Sequence, residues 1–125
     1  MRFAATHEDR TMLIYTVSCV YEGDDPAAWR AYLAWMTEGH LAAVCAGGAE
    51  AAWLLLPDPD PNASAAPTHL ARAVYRFASR EAFAAYERDA APGLRAEGLA
   101  RFGPAAGFRF SRELAEVAGA AGGAI

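Results

Sequence analysis

The chain has 125 residues, a formal net charge of −4 and 54 % hydrophobic residues, many of them alanine. That length supports one domain with a core of its own. The acidic balance argues against a general nucleic-acid binder, whose affinity comes from neutralising phosphates, and against attraction to anionic lipid.

No apolar run approaches a membrane span, and MRFAATHEDR lacks the hydrophobic region of a signal peptide. The two cysteines, Cys19 and Cys45, form no CxxC pattern. Reduced thiols in a cytoplasmic protein are the expectation, with no membrane partner.

Residues 1–11 are polar and aperiodic and are expected to form a flexible extension to a domain over residues 12–116. Met12 to Tyr21 is rich in β-branched and aromatic residues and predicts a strand. Its two faces carry Leu13, Tyr15, Val17, Cys19 and Tyr21, and Met12, Ile14, Thr16, Ser18 and Val20. Neither face is strongly polar, so both are expected to be covered.

Asp25 to Val44 predicts one long helix, opened by Asp25-Pro26 and stopped by Gly47-Gly48. Trp29, Leu33, Met36, His40 and Val44 recur at helical spacing and form its buried stripe. His40 is a titratable group on an oily face, and Trp35 lies well off that stripe.

A second strand is expected near Glu50 to Leu56, followed by an exposed proline-rich loop, Pro57 to Pro67. Leu70 to Phe77 predicts a third strand, with Arg72, Val74 and Arg76 opposite Ala71, Ala73, Tyr75 and Phe77. Ser79 caps a helix from Arg80 to about Asp89 that buries Phe83, Tyr86 and Ala90. Ala91-Pro92 restarts a helix to Phe102, with Glu97 and Arg101 spaced for an ion pair. Gly107 to Leu114 predicts the last strand, placing Phe108, Phe110, Arg112 and Leu114 on one face. Residues 117–125 read as a flexible Ala/Gly tail.

The order is βαββαβ, which predicts an α+β ferredoxin-like sandwich: a four-stranded antiparallel sheet with helices on one face. The uncovered apolar face then predicts a homodimer, sheet against sheet.

The WRAYLAWMTEGHLAAV segment, the YRFASREAFAAYERDAAPGLRAEGLARFG block and the closing FRFSREL resemble the bacterial domain of unknown function 4286 family. The matching positions are Trp35, Met36 and His40, then Tyr86, Ala91, Pro92, Leu94, Arg95, Glu97, Arg101, Phe102 and Gly103. The first tryptophan of the pattern is displaced upstream, at Trp29. The resemblance spans roughly Met12 to Leu114 and implies the dimeric α/β-barrel superfamily. It implies no activity, because the family has none assigned.

His40 has two readings. It is a core imidazole donating to a backbone carbonyl or a neighbouring acid, favoured in its charged form by the helix end, or the general base or ligand anchor of a cleft between helix and sheet. In the second reading Tyr15 or Tyr75 supplies a hydrogen bond and an arginine orients an anionic group. Trp29, Trp35, Met36 and Trp53 are candidate walls of a ligand pocket, and Arg72, Arg76 and Arg112, or Arg95 with Arg101, its candidate anion contacts. Plain core and surface networks are the structural alternatives. The histidines and cysteines lack ligand spacing, so no metal is expected, and no nucleotide motif is present, so no cofactor is expected. Tyr15, Tyr75 and Phe77 also raise an RNA-recognition sheet as a rival, which the charge disfavours. The expected function is small-ligand binding with His40 as acid/base, acting on a small aromatic or carboxylate metabolite. The alternative is a non-catalytic assembly protein.

Overall fold

The computed structural model describes residues 10–58, 62 and 69–123. β1 is Leu13–Tyr21, α1 Pro26–Trp35 and α2 Leu41–Ala46, with a π-helical turn Met36–His40 between the two helices. β2 (Ala51–Leu55), β3 (His69–Phe77), α3 (Arg80–Asp89), α4 (Ala91–Arg101), a short 3-10 turn and β4 (Phe108–Glu116) follow. The sheet order is β2-β3-β1-β4, with antiparallel pairing throughout. This is the expected α+β ferredoxin-like arrangement.

Local chemistry sets the boundaries. The Asp25 carboxylate accepts from the Ala27 amide at 3.0 Å, and Pro26 occupies the first helical position. The Ser79 hydroxyl accepts from the Ala82 amide at 3.1 Å and opens α3. Gly107, at φ 98°, makes the left-handed step into β4. A side chain there would also crowd the Tyr21 ring.

The register places Tyr15 opposite both Tyr75 and Leu114, and Val17 opposite Ala73 and Arg112. Leu13, Tyr15, Cys19, Tyr21, Ala71, Ala73, Tyr75, Phe77 and Phe108 form the buried helix side of the sheet. Phe77 meets the Phe83 and Tyr86 rings, each at 5.1 Å, which fastens α3 to β3. The other side carries Ile14, Thr16, Ser18, Val20, Leu70, Arg72, Val74 and Arg76. Ala51, Trp53 and Leu55 join them through the β2 register.

Several expectations need correction. The long helix is interrupted: Leu41 donates to the Met36 carbonyl, five residues back. Two local features favour this π turn. The Thr37 hydroxyl donates to the Leu33 carbonyl at 3.0 Å, the kind of back-bonding that bends helices, and Gly39 leaves the turn unconstrained. Tyr32 is buried, whereas Leu33 is only half-buried. Thr11 is 6 % exposed and so belongs with the core rather than with a flexible extension. β4 runs on to Glu116. Residues 1–9, and the Pro57 to Pro67 loop apart from Pro57, Asp58 and Asn62, lie outside the described residues. Among those residues no helix is long and apolar enough to cross a membrane.

Candidate functional site

A half-open cleft of about 80 Å3 lies between α1 with its π turn, α4, and the sheet. Its floor is Tyr15, Val17, Tyr75, Phe110 and Arg112; its walls include Tyr32, Trp35, Met36, His40, Tyr86 and Phe102. Space of this size holds about three waters at their liquid volume and is about half the ~150 Å3 of a closed cavity that takes benzene. It is smaller than the several hundred Å3 usual for a pocket that takes a drug-sized ligand.

The π turn decides how His40 meets this cleft. In an uninterrupted helix residues 35 and 40 point well apart, but one extra residue per turn brings them together. The His40 and Trp35 rings stack at 4.3 Å with 22° between their planes. Trp35, expected off the stripe, is therefore the closest aromatic neighbour of the imidazole.

Burial lowers the His40 pKa below its ordinary 6.5, and the nearby Glu97 carboxylate opposes this only in part. At pH 7 the ring is neutral and can accept a proton.

The two tyrosines singled out from sequence share the floor, with ring centroids 6.1 Å apart. Burial raises the Tyr75 pKa, keeping its hydroxyl protonated. Tyr86 beside it is pushed up to about 12, chiefly by burial and then by Tyr15. Arg95 donates to the Tyr15 hydroxyl at 3.3 Å and to both Glu87 oxygens at 2.6 and 2.8 Å. Tyr15 thus accepts from a cation and keeps its own proton to donate. Arg112 points to the cleft from β4 and forms no ion pair among the described residues.

The remaining residues singled out from sequence divide by place. Met36 lines the cleft. Trp29 packs instead with Tyr21, Tyr32 and His69. Trp53 and Arg72 lie on the opposite face of the sheet and share no site with His40. Arg76 there pairs with Glu50 at 3.0 Å and sits 5.8 Å from the Trp53 ring. Glu97 and Arg101 do not pair: Arg101 lies over the Phe102 ring and Arg95 takes Glu87. Tyr15, Tyr75 and Phe77 are buried under the helices, so they form no exposed stacking platform. Among the described residues no cluster of three metal-ligating side chains occurs.

Sequence reasoning missed Tyr32, Gly98 and Phe110 as cleft residues. Tyr32 had a signal, since it lies three residues after Trp29 and four before Met36. Gly98 and Phe110 had none, because their place depends on how α4 and β4 dock.

No family model and no curated protein matches the chain. Solved structures do match. A conserved protein of unknown function from Bacteroides thetaiotaomicron VPI-5482, described as a possible oxidoreductase, aligns with TM-score 0.60 and 12 % identity over 86 % of this chain and 98 % of its own. A dimeric ferredoxin-like protein from an uncultured marine organism gives TM-score 0.57 and 9 % identity, covering 89 % and 99 %. SnoaB, a cofactor-independent oxygenase from Streptomyces nogalater, gives 0.52 and 14 %, covering 83 % and 90 %. At these identities the likeness is one of fold.

Proposed function

We propose that the cleft binds a small aromatic or carboxylate metabolite and that His40 accepts a proton from it, without a cofactor. One observation carries this reading: a largely buried imidazole borders an aromatic cleft whose lining also includes Arg112, a guanidinium with no ion pair among the described residues. A buried cleft with a perturbed titratable group is a physical reason to expect a site. The ligand ring lies among Tyr32, Trp35 and Phe102, and its anionic group faces Arg112 at the exposed edge of the floor. His40 takes a proton from an acidic O–H or C–H, and the Tyr75 and Tyr15 hydroxyls donate to the developing negative charge. The cofactor-independent oxygenase with this fold supports the reading by analogy only.

The resemblance to the domain of unknown function 4286 family belongs to this proposal. Of its twelve matching residues, Trp35, Met36, His40, Tyr86, Leu94, Arg95 and Phe102 line the cleft, and Ala91, Pro92, Glu97, Arg101 and Gly103 do not.

Calorimetry and thermal shift with benzoate, salicylate and phenol test the reading. Binding of the acids is expected to raise the melting temperature. Arg112→Gln should weaken the acids about tenfold or more, the worth of a charged hydrogen bond, and leave phenol unaffected. Absence of any binding by wild type refutes the proposal. The small size of the cleft favours the second reading, a non-catalytic assembly protein. A His40→Ala variant that melts lower while wild type ignores every ligand supports that alternative.

The chain also pairs with a second copy through the uncovered sheet face. Ile14, Val20, Trp53, Leu55, Leu70 and Val74 give that face apolar positions, interspersed with Thr16, Ser18, Arg72 and Arg76, and a dimeric protein shares the fold. A sedimentation experiment giving only monomer at micromolar concentration overturns this pairing.

A further inference from the structure

We infer that Gly98 determines the size of ligand the cleft admits, and that it acts through Trp35. The inference rests on the proposed reading of the cleft as a ligand site.

Gly98 lies inside α4, where glycine costs about 1 kcal/mol relative to alanine. Unlike Gly93 of the same helix, which has open space around it, Gly98 faces the Trp35 ring. A Cβ on Gly98 would stand 3.1 Å from Cη2, 3.7 Å from Cζ3 and 3.9 Å from Cζ2 of the indole. These atoms belong to the six-membered ring, the deep end of the side chain.

The indole also has nowhere to retreat without consequence. His40 stacks on it at 4.3 Å and Phe102 lies at 5.4 Å. Trp35 lines both the inner cleft and a shallow groove on the outer side of α1, which Ala31, Ala34, Glu38, Gly39 and Arg101 complete. Trp35 is thus the residue shared by the linings of the two spaces. A methyl group on Gly98, itself a cleft residue, either projects into the cleft or moves the indole. A shorter side chain at position 35 lets the cleft extend toward the outer groove.

The test titrates wild type, Gly98→Ala, Trp35→Phe and the double variant with benzoate and 2-naphthoate, and melts each protein. Gly98→Ala is expected to lower 2-naphthoate affinity relative to benzoate by about tenfold, the effect of one methylene in an apolar pocket. Its melting temperature should stay near that of wild type, because the helical gain of alanine is set against the tight approach to the indole. Trp35→Phe moves the affinity ratio the other way. The double variant returns it toward wild type, since phenylalanine lacks the atoms that the new methyl meets. A ratio unchanged within twofold in both single variants overturns the inference while leaving the ligand site intact. Wild type binding neither acid refutes the proposed function, and the inference falls with it.

Discussion

Replacing His40 with phenylalanine separates the titration of this residue from its packing. The phenyl ring keeps a stacking partner for Trp35, an interaction worth about 0.5–1.5 kcal/mol. The adjoining cleft has room for the slightly larger ring. At pH 7 stability should therefore stay within about 1 kcal/mol of wild type, roughly 4 °C in melting temperature. The acid side should differ. Burial holds the folded-state pKa of His40 below its ordinary 6.5. Between the folded and unfolded values the unfolded chain binds a proton that the folded chain refuses. Stability is thus fully present above about pH 6.5 and is lost as pH falls below it, at up to about 1.4 kcal/mol per pH unit for one proton. His40→Phe removes this loss. Urea denaturation of both proteins at half-unit steps from pH 5 to 8 isolates the term, because the other titrating groups are common to both. Parallel curves below pH 6.5 refute the reasoning, since they mean that His40 titrates alike folded and unfolded.

Three further outcomes follow from the same geometry. Glu97→Gln removes the charge that partly offsets His40 desolvation, so the pH midpoint of benzoate binding should move to lower pH; NMR titration of the His40 ring protons reads it directly. Phe77→Ala, at 0 % exposure between Phe83 and Tyr86, should cost about 3–5 kcal/mol in denaturant unfolding. Cys19 is buried with its thiol pushed up to about 11, chiefly by burial, so it should resist iodoacetamide at pH 8 until urea unfolds the chain; prompt labelling in the native protein contradicts this.

Much of this molecule was legible in the order of its residues, for local reasons. Asp25-Pro26, Ser79 and Ala91-Pro92 mark helix starts because capping and proline geometry depend only on adjacent backbone. Strand alternation in Leu70 to Phe77 separated the arginines from the core because side chains in a strand alternate with period two. Together these gave the βαββαβ order and hence the sheet. His40, Tyr15, Tyr75, Met36 and Arg112 were also nameable, and they meet at one cleft.

Other features depended on docking between distant elements. Trp53 and Arg72 fell to the far side of the sheet because face assignment requires the register of β2 on β3. Arg95 chose Glu87 across a helix junction over any partner one turn away. The π turn added one residue to a helical period and swung His40 onto Trp35, a shift that the apolar stripe of a regular helix does not encode. The protonation of His40 belongs to this second class. Sequence supplies the imidazole, but the groups that partly bury it come from α1, α4 and the sheet, and that burial is what lowers its pKa.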